Sequence, residues 1–165
     1  MHQQIPAYAT LVYTFLTLLI LVVNICYMIK FRESVRIQYR SAQGQLLFEM
    51  VRDFFYKEPH KKIILGLEEH IPLRDNVGIV DTELDDHIGF LETLGTFVRA
   101  RILDGNLVWA VFSHYVESTY ESPEIAQYVK EQRDEDPTIF EDFVWLYKEM
   151  KSESHSRQRA KLKQA

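Results

Sequence analysis

Apolar positions fill the start of the chain almost without interruption. No Asp, Glu, Lys or Arg occurs from Met1 to Ile29, and His2 is the only histidine there. Ile5 to Ile29 is therefore predicted as one apolar helix, and about 20 helical residues suffice to cross ~30 Å of hydrocarbon. Leu11, Val12, Phe15, Leu16, Leu18 to Val23, Ile25 and Ile29 carry the insertion energy. At roughly −0.3 to −0.6 kcal/mol each they outweigh Thr14, Thr17 and Asn24. Tyr8, Tyr13 and Tyr27 fall near the two ends, where amphipathic rings favour the membrane interface. A cleaved leader would need a preceding cation, a shorter apolar core and a small-residue cleavage site, and this stretch has none of them.

No Pro or Gly lies between Ala7 and Gln43, so the helix is expected to run on past the apolar stretch. Val35, Tyr39, Ala42, Leu46 and Met50 share one helical face, joined by Leu47, Val51, Phe54 and Phe55. Residues 30–58 read as a continuation of the span, with Gly44 a weak point and Glu58-Pro59 the end. A short helix, His60 to His70, and a loop, Ile71 to Asp81, follow.

The next helix has the strongest pattern. Leu84, Ile88, Leu91, Gly95, Val98 and Ile102 recur at alternating spacings of four and three, beside Phe90, Leu94 and Phe97. So broad an apolar surface belongs at the centre of a bundle, and Gly95 would admit a close neighbour. Thr82 and Asp85 suggest its capped start, and Asn106 the cap of the following helix, with Leu107, Val108, Val111, Phe112, Tyr115 and Val116 inward. Ser122-Pro123 opens a further helix, and Asp136-Pro137 is expected to open the last. Residues 151–165 are polar and basic, and read as a disordered or fraying tail.

No strand alternation appears. The expected fold is all-α, a single N-terminal transmembrane helix continuing into a bundle of about five to six helices. The expected parts are 1–29 (anchor), 30–58 (basic collar and amphipathic helix), 59–150 (helical domain) and 151–165 (tail).

Charge adds orientation. Lys30, Arg32, Arg36 and Arg40 follow the span against the single acid Glu33. The positive-inside rule then puts the N-terminus outside and the rest of the chain in the cytoplasm. Residues 41–150 carry ten basic and 22 acidic side chains, net −12, which argues against nucleic acid as a partner. Cys26, the one cysteine, lies within the span, so no disulfide framework or zinc site can be built from cysteines.

One resemblance emerges. Leu91-Glu92, Gly95, Phe97-Val98, Ile102-Leu103-Asp104 and Asn106-Leu107-Val108 through Phe112 resemble a bacterial family known only as domain of unknown function 4760. The resemblance covers roughly residues 8–150. It implies one N-terminal span, a cytoplasmic helical domain and an inner-membrane location, and it brings no catalytic residues.

Candidate chemistry is thin. Glu68 and His70, with Asp86 and His87, are the candidate metal ligands, and Glu92, His114 and Glu117 are further members of the same idea. The Glu-x-x-His spacing of helical di-metal sites is absent, and first-turn acids such as Glu83, Asp85 and Asp86 are expected from the helix dipole alone. Asp75 to Asp86 fails the calcium-loop template, and no phosphate-binding, hydrolase or metalloprotease motif occurs, so no cofactor is expected. Trp109 and Trp145 are the expected interaction surface, since aromatics are enriched at interface centres.

The expected function is a membrane-anchored helical interaction module, partnered by the bilayer and by a protein, another copy included. Two alternatives stay open. One is a membrane-bound enzyme or metal-binding protein using the acidic and histidine groups near residues 68–92. The other is a small oligomeric membrane effector, with Asn24 hydrogen-bonding between spans.

Overall fold

A computed structural model describes the backbone of residues 7–162 and the side chains of residues 10–154. The start of the expected span at Ile5 and the side chain of Tyr8 lie outside the described residues. Those described are α-helical throughout, apart from turns and one π-helical turn, and contain no strand. The chain divides into two compact units, residues 1–44 and 45–165. Helix α1 (Ala7–Tyr56) contributes to both.

In the first unit, α1 is continuous through the apolar stretch. The apolar side chains from Leu11 to Ile29 are 48–72% exposed, so no protein covers them. The Thr14 and Thr17 hydroxyls donate to the carbonyls of Thr10 and Tyr13 at 2.8 and 2.7 Å. Each polar hydroxyl is thereby satisfied within the helix, which removes most of its cost in an apolar surrounding. Among the described residues α1 alone is long and apolar enough to cross a membrane.

The second unit has its own core. The last turns of α1 deliver Met50 and Phe54, and α2 (His60–Glu68) delivers Ile63 and Ile64. Helix α3 (Asp81–Arg99) contributes Leu84, Ile88, Leu91 and Leu94, and α4 (Gly105–Glu121) contributes Val108, Phe112 and Val116. Ile125 and Val129 come from α5 (Pro123–Glu135), and Phe143, Leu146 and Met150 from α6 (Glu141–Leu162). The expected α3 stripe is buried as far as Gly95. Val98 is half-buried, and Ile102, beyond the helix end, is exposed.

Helix α6 packs against both α3 and α4. At Gly95 the approach is close. A Cβ there would lie 2.4 Å from the Asp142 carbonyl oxygen. Side chains of α3 tie down the same end of α6: Glu92 accepts from the Asp142 N–H (3.1 Å), Thr96 donates to Asp142 (2.6 Å), and Arg99 pairs with Asp142 and Glu141 (2.5 and 3.0 Å).

Several helix ends differ from the sequence expectation. Helix α3 starts at Asp81, and the Glu83 carboxylate accepts from the Val80 N–H at 3.0 Å, so Thr82 and Asp85 do not form the cap. Asp104, not Asn106, caps α4: its Oδ1 accepts from the Asn106 and Leu107 N–H groups at 2.8 and 3.4 Å. Asp136-Pro137 does not open α6. The Asp136 carboxylate holds the Thr138 N–H (2.9 Å) and hydroxyl (2.8 Å) in a turn, and α6 begins at Glu141.

The expected loop after α2 contains the π-helical turn Leu73–Val77, closed by Gly78 at φ +71°. Residues 151–162 are helical, where a disordered or fraying tail was expected. No Pro or Gly follows Pro137, and Lys151 and Ser154 are held by Glu121 and Glu117.

Candidate functional site

The densest polar arrangement sits inside an aromatic cluster. Helices α2 and α3 each point one histidine at the other. The Nδ1 atoms of His60 and His87 are 3.3 Å apart, and His87 Nε2 is 3.3 Å from the Thr119 hydroxyl of α4. Phe54, fully buried, stacks against both rings at 5.8 and 5.4 Å and against Phe90 at 5.1 Å.

At this spacing one Nδ1 carries a hydrogen and the other accepts it, which requires at least one neutral ring. Burial pushes His87 down to about 3, and the neighbouring His60 adds to that. Burial also lowers His60, partly countered by the carboxylates of Asp86, Asp53 and Glu58. Both rings are therefore neutral near pH 7, which suits a buried His87 and a half-buried His60.

A cleft of about 610 Å³ lies between α2 and the α4–α5 junction. Ile64, Leu67, Ile71, Pro72, Tyr115 and Pro123 give it apolar walls; Glu68, His70, His114, Ser118, Glu121 and Glu124 add polar groups. Two of the three carboxylates are already engaged. Glu124 accepts from the backbone N–H groups of Leu73 and Arg74 (3.0 and 3.1 Å), which ties the π-helical turn to the start of α5. Glu121 accepts from Tyr147 (3.1 Å) and from Lys151, whose ammonium holds that carboxyl below its ordinary value.

His70 enters the cleft from a strained backbone position. It follows α2 at φ +54°, and the N–H groups of His70 and Ile71 bond the carbonyls of Leu67 and Gly66. That is a Schellman ending, in which glycine is the usual occupant of the left-handed position.

Of the candidate metal ligands, Glu68 and His70 line the cleft, Asp86 is exposed on α3, and His87 is buried in the aromatic cluster. No group of three or more His, Cys, Asp or Glu side chains with metal-binding geometry occurs among the described residues. Glu92 holds the start of α6, and Glu117 accepts from Ser154. Trp109 and Trp145 are half-buried against the core, with the Arg99 guanidinium 5.7 Å from the Trp145 ring, and neither lines the cleft.

Sequence reasoning did not find the His60–His87 contact. The two residues are 27 apart on different helices, and no spacing rule reports such a pair. The only signal was a histidine beside a stripe of apolar residues.

The chain matches the model of the family described as domain of unknown function (DUF4760) over residues 7–150. No curated protein matches it, and no solved structure does. The matched range runs from the first residue of α1 to Met150, the last buried core residue of α6. The chain therefore belongs to the DUF4760 family.

Proposed function

We propose that this is a single-pass protein of a bacterial inner membrane, whose helical domain lies in the cytoplasm and binds a protein partner, another copy of itself included. The observation that carries this reading is the exposed apolar half of α1 joined, within one helix, to residues that build a separate core. An apolar helix surface of this length left uncovered has hydrocarbon as its natural surrounding. The cations after Ile29 favour the cytoplasmic side for the domain.

The partner surface we assign is the cleft between α2 and the α4–α5 junction, because it combines apolar walls with the polar side chains of Glu68, His70 and His114. Its size falls within the range of pockets that take a small ligand or a side-chain anchor. His70, held in a conformation glycine adopts at less cost, supports a use for its side chain there.

Crosslinking in the native membrane, followed by identification of the products, tests this reading. A partner or a dimer lost in a Leu67→Glu variant supports it. Recovery of the protein alone, as a monomer, removes it. A second reading, catalysis at the same cleft, draws on Glu68, His70 and His114 lining one surface. Metal analysis and replacement of Glu68 and His70 bear on it. Absence of metal together with unchanged behaviour would count against it.

A further inference from the structure

Four cations of α1 have no ion-pair partner among the described residues. Lys30, Arg32, Arg36 and Arg40 are exposed on α1, and none forms an ion pair among the described residues. Glu33, the single acid among them, pairs with none of them. In the second unit, cations without an ion pair among the described residues, such as Lys61, Lys130 and Lys148, are spread over different helices, and the other basic groups are mostly paired. There Arg52, Lys57, Lys62, Arg74, Arg99 and Lys151 each meet a carboxylate.

The four are placed by helical geometry. At ~1.5 Å per residue, Lys30 and Arg32 lie within about 5 Å of the end of the apolar run at Ile29, and Arg36 about 10 Å from it. A headgroup layer is roughly 5 to 8 Å deep on each side, and an arginine stem extends that reach. Arg40 lies about 6 Å farther out, beyond the headgroups but within the ~8 to 10 Å of their outer surface over which charge is felt. The spacing of four puts Arg32, Arg36 and Arg40 along one ridge. At the boundary itself the Tyr27 and Phe31 rings stack, with centroids 6.5 Å apart and planes 14° apart, and aromatic rings settle at the headgroup level.

We propose that this collar is a binding site for anionic phospholipids, with the arginine forks engaging headgroup phosphates. It rests on the membrane-anchor reading above and adds the identity of a partner. The collar and an anionic headgroup layer are complementary in charge. Guanidinium groups match phosphate oxygens two at a time, and each basic group near an anionic surface contributes about a fivefold preference. With Lys30, Arg32 and Arg36 in reach, the factors multiply to selectivity on the order of 100-fold over a zwitterionic lipid.

The test uses the full chain reconstituted in bilayers of equal phosphatidylglycerol and phosphatidylcholine, with the retained lipids counted by native mass spectrometry. Wild type should retain phosphatidylglycerol with a preference on the order of 100-fold in low salt, and less in high salt. The Arg32→Gln, Arg36→Gln, Arg40→Gln triple variant should lose most of the preference, keeping at most the roughly fivefold share of Lys30, while staying in the membrane after alkaline carbonate extraction. A charge-matched control, Lys61→Gln, Lys130→Gln, Lys148→Gln, should keep it. Equal retention of both lipids by wild type, or selectivity that survives undiminished in the arginine variant or is lost in the control, overturns the inference. So does full displacement by millimolar inorganic phosphate, which would make the site one for free phosphate. These results leave the anchor standing. Release of wild type by carbonate would instead sink the anchor reading, and the lipid site with it.

Discussion

Replacing Gly95 by alanine tests the packing of α3 against α6 directly. An alanine Cβ would meet the Asp142 carbonyl oxygen at 2.4 Å and its carbonyl carbon at 2.8 Å, where ordinary contact begins at 3.4 Å. The obstacle is backbone, so it cannot rotate away; the two helices must part by about 1 Å. Overpacking of this kind costs about 1 to 3 kcal/mol. Parting also stretches the bonds that the Glu92 carboxylate accepts from the Asp142 and Phe143 N–H groups, and weakening a charge-assisted bond adds roughly 1 kcal/mol. Alanine returns about 1 kcal/mol through helix propensity. The net expectation is destabilisation by about 2 kcal/mol, or roughly 8 °C in Tm for a domain of this size.

Gly89, on the same helix, is the control. A Cβ there meets nothing within 4 Å, so Gly89→Ala should stabilise by about 0.5 to 1 kcal/mol. The assay is thermal unfolding of the full chain in detergent, followed by near-ultraviolet circular dichroism. That signal reports the packed aromatics of the domain and ignores helix retained by the span. A Gly95→Ala protein as stable as wild type, or two variants shifting in the same direction, would refute the reasoning.

Acid should weaken the domain through His87. Its folded value of about 3 lies below the ordinary 6.5, so its contribution is full above pH 6.5 and is lost as pH falls toward 3, by up to about 5 kcal/mol. Denaturant titrations between pH 7 and 4 should show this slope in wild type and a much shallower one in His87→Phe; identical slopes would exclude His87 as the source. His70→Gly relieves a left-handed residue and should raise stability by about 1 kcal/mol in the same titrations, while weakening any crosslinked partner at the cleft. Asn24→Leu should leave the domain's melting unchanged. If spans associate through that amide, detergent-phase mass measurement will show the oligomer diminished, because such bonds average under about 1 kcal/mol.

The sequence was most legible where one periodic pattern dominated. The uninterrupted apolar run and the missing breakers foretold α1 as far as its end before Pro59. The alternating spacing of α3 identified the central helix, and the glycine on its stripe marked the close approach of α6. Helix starts were less legible, because several acceptors compete within a few residues. Thr82 lost to the reach of Glu83 back to Val80, and Asn106 lost to Asp104, whose carboxylate meets two free N–H groups at once. Helix α6 outran its composition because contacts that hold Lys151 and Ser154 are tertiary. The histidine pair was hidden for the same reason, since long-range contacts leave no local period.

Phe54 also imposes an order on synthesis. Its stacking partners His87 and Phe90 are 33 and 36 residues downstream, and Phe112 and Tyr115 are 58 and 61. At 5 to 20 residues per second, the ring waits about 3 to 12 s after its own synthesis before Phe112 exists. All of the apolar stretch of α1 has been made by then. On the reading that this stretch spans a bilayer, the nascent chain is committed to the membrane before its core can close. The domain then folds from a tethered start, with its first core residues at the end nearest the tether.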